Sequence, residues 1–301
     1  MITRRELLAI ASSVGVAQGV PAAMPRFIKS ICSVIFQKEQ PRAEVFALAK
    51  SAGFDAVEVS IGYDFPLDIT QDDARRFADT AHQAGIQIAT IWVSEPLSAN
   101  PLNHDDPAAR ARGVEAIRTA IRIAKDMNCG ALLLYPGRLG NGAVFNYGYE
   151  VTWERFTTEL RKLLPDAERA KVLLNPENVW NKFLLSPLEM RSFVDQFHSP
   201  WLQTHFDTGN VMQYGYPQDW IQTLGSRIKR VHFKDYKLSA RAEQGRFVDL
   251  LKGDVNWKAV VTALVRTGYQ GFISPEIGYD KERPNQLKEV SRQLDTILAL
   301  A

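Results

Sequence analysis

A single (β/α)8 TIM barrel is the fold this sequence predicts, and three observations predict it. A unit of amphipathic run, glycine and short β-rich apolar run recurs along the chain. Eight candidate strands end near Phe36, Ser60, Val93, Tyr135, Glu177, Asp207, Lys234 and Glu276. Their mean spacing is about 34 residues, near the ~31 per unit expected when ~250 residues make eight βα units. No linker or low-complexity segment divides the chain. Strands alternating with helices at this spacing argue a parallel sheet, and eight units argue closure. The competitor, an open doubly wound sheet, usually carries a glycine-rich phosphate turn after its first strand. Phe36-Gln37-Lys38-Glu39-Gln40 contains no glycine.

The N-terminus stands apart from this pattern. Thr3-Arg4-Arg5-Glu6 precedes a charge-free stretch, Leu7 to Val20, and Pro21-Ala22-Ala23 offers a small-residue cleavage region. That layout predicts an export signal of twin-arginine type over residues 1–24, with the barrel in 25–301. The expected location is then periplasmic or exported, and cytoplasmic if the signal is vestigial. The apolar run is too short and alanine-rich for a membrane span of about 20 residues, and no other segment is a candidate span.

The βα units follow in order. Ala43–Ala52 stops at Gly53 and leads into Ala56–Ser60; Asp72–Ala84 stops at Gly85 and leads into Ile86–Val93. Pro107–Cys129 stops at Gly130 before Ala131–Tyr135, and Trp257–Thr267 stops at Gly268 before Gly271–Glu276. Glycine takes the left-handed conformation that closes a helix, so these are stop signals. In the third helix Val114, Ile117, Ile121, Ala124 and Met127 share one face. Asp106-Pro107 reads as an N-cap with first-turn proline, and Ser186-Pro187-Leu188-Glu189 as a capping box.

Composition narrows the function classes. With 301 residues, 46% apolar and 23% charged, the chain is neither disordered nor a disulfide scaffold. A net charge of +2 gives no electrostatic footprint for nucleic acid. Cys32 and Cys129 form no CxxC pair, which excludes a zinc-thiolate site and leaves buried free thiols.

In a barrel of this kind the chemistry sits at the C-terminal ends of the strands. Strands five to eight read Val172–Glu177, Leu202–Asp207, Ile228–Lys234 and Phe272–Glu276, so four successive strands end in or pass through Glu177, Asp207, His232 and Glu276. Three carboxylates brought to one mouth repel each other unless protonated or bridged by a cation. Three oxygen donors and one imidazole suit Mn²⁺, Co²⁺ or Mg²⁺.

Glu177-Asn178-Val179-Trp180-Asn181, Phe206-Asp207-Thr208-Gly209-Asn210, Val231-His232-Phe233-Lys234-Asp235 and Ser274-Pro275-Glu276 resemble the xylose-isomerase-like barrel superfamily. They look most like its sugar isomerase/epimerase branch, which includes the ketose 3-epimerases. Ser51-Ala52-Gly53-Phe54-Asp55-Ala56-Val57-Glu58 resembles that branch's second-strand motif, and the likeness runs from Phe27 to the C-terminus. The resemblance implies one divalent metal, Mn²⁺ foremost, on Glu177, Asp207, His232 and Glu276. It further implies that Glu177 and Glu276 double as the acid/base pair. The chain departs from the branch in having Lys234 where the epimerases usually carry an arginine shortly after the seventh-strand histidine.

Other residues are candidates for substrate contact. Lys234 can meet a substrate hydroxyl or oxyanion, or else pair with a carboxylate of the metal set. Asn210, three after Asp207, faces substrate or caps its loop. His205 shares a strand face with Asp207 and is either a substrate contact or a hydrogen-bonded core histidine. Glu58 orients substrate or a metal ligand, or is a buried partner of a lysine. Trp180 and Trp92 can wall a sugar's C–H face or simply fill the core. Arg230 is expected to be a structural ion-pair partner, and Asp235 a cap. Ser239–Gly253 reads as a lid or a surface excursion. Gly137–Gly142, the only candidate for a phosphate cradle, reads more simply as a turn.

The expected partner is a small-molecule sugar. No nucleic acid or membrane span is expected, and a homo-oligomer is compatible with the sequence. Proton abstraction next to a carbonyl of a ketose or keto-sugar fits the residues and leads to three outcomes: epimerisation, aldose–ketose isomerisation, or β-elimination from a keto-glycoside. An abasic-site endonuclease would need further histidines near the site, and His82, His104 and His198 fall in helices or loops. A non-catalytic sugar-binding barrel is the remaining alternative.

Overall fold

The computed structural model describes residues 27–141, 144–239 and 245–301. The expected export segment, residues 1–24, lies outside the described residues. Eight parallel strands make the central sheet: β1 (Phe27–Cys32), β2 (Ala56–Ser60), β3 (Gln87–Trp92), β4 (Ala131–Leu134), β5 (Leu173–Pro176), β6 (Thr204–Asp207), β7 (Ile228–Phe233) and β8 (Gly271–Pro275). Their order is β5-β4-β3-β2-β1-β8-β7-β6. Parallel bridges Leu174–Leu202 and Glu177–His205 join the two remaining edges, so the sheet closes on itself.

The helices occupy the expected intervals: α1 (Arg42–Ser51), α2 (Gln71–Gln83), α3 (Ser94–Ala99), α4 (Pro107–Asp126), α5 (Tyr149–Arg161), α6 (Leu164–Ala170), α7 (Pro187–Asp195), α8 (Pro217–Leu224), α9 (Trp257–Arg266) and α10 (Gln286–Leu298). No described helix is long and apolar enough to cross a membrane. Asp106 caps α4 by accepting the Ala108 N–H at 2.9 Å, and Ser186 with Glu189 forms the capping box of α7. Gly53, Gly85 and Gly268 stop their helices at positive φ, as expected. Gly130 does not; the left-handed residue after α4 is Asn128 (φ 52°), because asparagine also tolerates that conformation.

The first strand is shorter than its sequence suggests. It ends at Cys32, and Ser33–Ile35 turns as a short 3-10 segment closed by Phe36 N–H to Ser33 carbonyl (3.0 Å). The Ser33 hydroxyl is drawn sideways onto buried Asp64 (2.6 Å), which diverts the chain from the sheet.

Outward-facing strand residues such as Val57, Ile91, Leu132, Phe206, Val231 and Ile273 pack under the helices and are fully buried. Inside the barrel the filling is different. Cys32, Trp92 and Leu133 form a separate small apolar cluster, and buried Glu58, Thr90, Asn175, His205 and His232 give the sheet a polar interior. Strand register delivers these groups to one level: Asp207 pairs with His232, and His232 with Ser274.

Candidate active site

His232 stands at the centre of the mouth, fully buried, with acidic groups on both sides of its ring. Its Nδ1 lies 2.9 Å from Glu276 Oε2, 3.2 Å from Glu177 Oε1 and 3.8 Å from Asp207 Oδ2. One ligand atom from each of these four residues falls within 4.8 Å of all the others. Asp207 and His232 are strand residues, whereas Glu177 and Glu276 each follow the proline that ends a strand, Pro176 and Pro275.

Glu58 holds the far side of the imidazole. His232 Nε2 is 3.1 Å from Glu58 Oε2, and Glu58 also accepts hydrogen bonds from Trp92 Nε1 (2.7 Å) and Ser274 Oγ (2.5 Å). Burial pushes the Glu58 carboxyl up, but the imidazoles of His232 and His205 overcome it and hold the group well below the usual range. An ionised Glu58 accepts from Nε2–H and leaves Nδ1 facing the other carboxylates, the second-layer arrangement that orients metal-binding histidines. Cys32 Sγ is 3.6 Å from the same Nε2, and burial pushes its thiol well up. Cys32 Sγ, Glu58 and His232 make a second group of converging ligand atoms, in which Glu58 is already engaged by Trp92 and Ser274.

The loops are pinned tightly. Asn178 donates from its amide to the Asp207 carbonyl (2.9 Å) and accepts the Asp207 N–H (2.8 Å). Asn210 N–H donates to Asp207 Oδ1 (2.7 Å), its amide to the Asn178 carbonyl (2.9 Å), and Trp180 Nε1 to the Asn210 carbonyl (2.9 Å). Asp207 is thereby fixed through one oxygen. Its buried Oδ2 accepts no hydrogen bond among the described residues and has Lys234 Nζ at 3.3 Å. Lys234 Nζ is also 2.8 Å from Glu276 Oε2.

The two glutamates are displaced in opposite directions. Burial pushes Glu177 up to about 7, against the pull of His232. Burial acts on Glu276 too, but Lys234 and His232 outweigh it and bring that carboxyl down to about 2. A buried carboxylate oxygen that accepts no hydrogen bond among the described residues, three convergent acids and an imidazole fit a divalent cation with oxygen preference.

The other sequence candidates divide. Lys234 pairs with carboxylates of the cluster, Glu58 orients His232, and Asn210 and Trp180 line the cavity above the cluster. His205 is fully buried, its ring centroid 4.0 Å from that of His232, and it lines no described cavity. Neither ring nitrogen of His205 makes a hydrogen bond among the described residues, so neither expected role for it is seen. Trp92 is a buried donor to Glu58 instead of a cavity wall. Arg230, expected in an ion pair, donates to the carbonyls of Ala89 (2.9 Å) and Lys229 (2.8 Å), which its depth in the barrel puts within reach. Asp235 is a cap, accepting from the N–H groups of Tyr236, Gly253 and Val255 and from Trp257 Nε1. His82, His104 and His198 belong to neither group of converging ligand atoms among the described residues.

A cavity of about 520 Å³ opens over the cluster, lined by Glu177, Asn210, Lys234, Trp180, Arg138 and Phe247 among others. A larger groove of about 780 Å³ beside Ile61–Leu67 contains none of the four convergent residues. Phe247 carried no functional signal in the sequence. It arrives on a two-stranded antiparallel ladder, Asp235–Lys237 with Arg246–Val248, whose second strand lies within the segment expected to be a lid or an excursion. Asn178 was visible beside Glu177, but its hold on Asp207 depends on the contact between β5 and β6.

A parallel barrel with one histidine and three acids at its C-terminal rim defines a class: (β/α)8 proteins with a candidate metal site at the strand ends. The profile of the xylose isomerase-like TIM barrel family matches residues 46–297, and the chain belongs to that family. L-ribulose-5-phosphate 3-epimerase of Salmonella paratyphi A is 26% identical over 280 residues, 90% of this chain and 95% of that protein. The enzyme of the same description from Escherichia coli O1:K1 is 27% identical over the same share of each chain. Among solved structures, D-psicose 3-epimerase with D-fructose superposes with a TM-score of 0.75 at 16% identity, covering 90% of this chain and 99% of that one. L-ribulose 3-epimerase does so with a TM-score of 0.72 at 21% identity, covering 92% and 95%.

Proposed function

We propose that the protein is a divalent-metal-dependent sugar epimerase or isomerase that moves a proton on the carbon beside the carbonyl of a ketose or keto-sugar. The observation that carries this reading is the meeting of Glu177, Asp207, Glu276 and His232 Nδ1 at one point of the barrel mouth. The names of the relatives support the same class of reaction. Glu177, Asp207, His232 and Glu276 would hold the cation, Mn²⁺ in the first instance. When bound, the ion supplies electrostatic stabilisation of the negative oxygen that develops beside the reacting carbon.

The protein's own groups supply the rest. Glu177 and Glu276, each beside His232 Nδ1 at the mouth, are the two carboxylates placed to take the proton and to return it. Lys234 steadies Glu276 and faces the cavity. Proton return at the same carbon from the opposite face inverts the centre; return at the neighbouring carbon gives isomerisation. Loss of a leaving group after the same first half-step gives β-elimination, a second reading favoured by the reach of the cavity as far as Arg138.

The test is deuterium uptake from heavy water by D-psicose and D-fructose with the Mn²⁺-loaded protein. Label is expected at the carbon next to the carbonyl, and Glu177→Gln or Glu276→Gln is expected to slow uptake by about 10²–10⁴-fold. Absence of label in every ketose and keto-glycoside tried with Mn²⁺, Co²⁺ and Mg²⁺ rejects the reading. Binding of sugar by Glu276→Gln alongside a wild-type protein that exchanges nothing identifies a non-catalytic barrel.

A further inference from the structure

The cavity over the cluster is larger and more aromatic than one reacting sugar requires. At about 520 Å³ it lies in the ~300–1,000 Å³ range that encloses ligands of drug size. One wall is Trp180 stacked on Phe247, with ring centroids 4.9 Å apart and planes at 27°. Tyr236 meets both rings edge-on. Stacking would ordinarily hide such rings, yet Trp180 stays 47% and Phe247 42% exposed. Arg138 also lines this cavity, and its guanidinium has no partner among the described residues.

We infer that this outer part of the cavity is a subsite for a second pyranose ring, so that the substrate is a keto-disaccharide. The inference rests on the proposed sugar reaction and deepens it. An aromatic face matches the C–H face of a pyranose, and an unengaged guanidinium offers several donors to ring hydroxyls. A phosphate in this position is disfavoured. Phosphate sites use several convergent cationic or backbone donors, whereas Lys234 is already shared between Asp207 and Glu276.

Calorimetric titration of the Mn²⁺-loaded protein with isomaltulose, lactulose, D-fructose and L-ribulose 5-phosphate tests the proposal, with deuterium uptake followed on the same sugars. At least one disaccharide is expected to bind about tenfold more tightly than D-fructose, a difference of about 1.4 kcal/mol. Phe247→Ala and Arg138→Ala are each expected to weaken the disaccharide several-fold more than D-fructose. Phe247→Tyr, which keeps the stacked ring, retains the preference and controls for folding. Equal binding of D-fructose and both disaccharides, or equal weakening of both by the variants, overturns the subsite. Preferential binding of the phosphorylated ketose that Arg138→Ala abolishes also overturns it. Tight disaccharide binding without deuterium uptake in any sugar supports the subsite and refutes the proton-transfer reading, so the two failures are separable.

Discussion

Two buried glutamate oxygens, Glu58 Oε2 and Glu177 Oε1, flank the His232 imidazole at 3.1 and 3.2 Å. Together they decide which nitrogen faces the cluster. Replacing Glu58 by glutamine keeps the volume but removes the charge that fixes the tautomer. Glu58→Gln is therefore expected to lower Mn²⁺ affinity by about 10–100-fold, read by calorimetric titration of a protein whose circular dichroism is unchanged. Glu177 makes a second expectation. A carboxyl pushed up to about 7 must lose its proton before it can ligate. Below that value metal binding releases a proton, and apparent affinity falls as pH falls, by up to about tenfold per unit. Titrations in buffers of different ionisation enthalpy at pH 6 and pH 8 check this: the His232 imidazole, held protonated by its acidic neighbours, releases a proton at both, and Glu177 is expected to add to the release at the lower pH. The sequence made this cluster legible because the four residues lie at or next to the ends of four successive strands. Glu58 was legible only as a candidate, since its three partners come from β3, β7 and β8. His205 kept two readings in the sequence because strand alternation tells which face a side chain shares, and not how deep it lies.

At the scale of elements, local rules were reliable wherever one short stretch closed its own hydrogen bonds. The capping box of α7 is such a case, with Ser186 Oγ accepting the Glu189 N–H at 3.2 Å. Ser186→Ala is expected to cost about 1 kcal/mol, visible as a lower urea midpoint with an unchanged slope. Deuterium uptake should be unaffected, because α7 lies beyond the loop that carries Trp180 and Asn181. Local rules were weaker where a distant partner intervened. β1 stops early because Ser33 is claimed by Asp64. The ladder bearing Phe247 was not foreseen, since so short and polar a pairing lacks the apolar periodicity by which strands are read.

For the whole molecule, βα spacing and glycine stops were enough to foresee an eight-stranded barrel in one domain, because each unit repeats the same local decisions. They could not foresee the polar interior, which emerges only when eight strands are brought to a common register. A ligand bound by the native state alone raises stability by mass action. Mn²⁺ at a hundredfold excess over its Kd is expected to stabilise the barrel by about 2.7 kcal/mol, and EDTA to reverse this, as followed by thermal melting. The N-terminal reading is tested separately: Arg4→Lys with Arg5→Lys is expected to retain the protein in the cytoplasm on cell fractionation.

The closure between β5 and β6 carries a mechanical consequence. Unlike the other junctions it is made by isolated bridges, with Leu174 N–H bonded to the Trp201 carbonyl (2.7 Å) and Gln203 N–H to the Leu174 carbonyl (3.0 Å). Glu177 stands on one side of this seam and Asp207 on the other, so an ion gripped by both is a clasp across the weakest join in the cylinder. Amide exchange at Leu174 and Gln203 should then slow when Mn²⁺ is added, more than at the β1–β2 ladder, and the same enzyme stripped of metal should unzip there first.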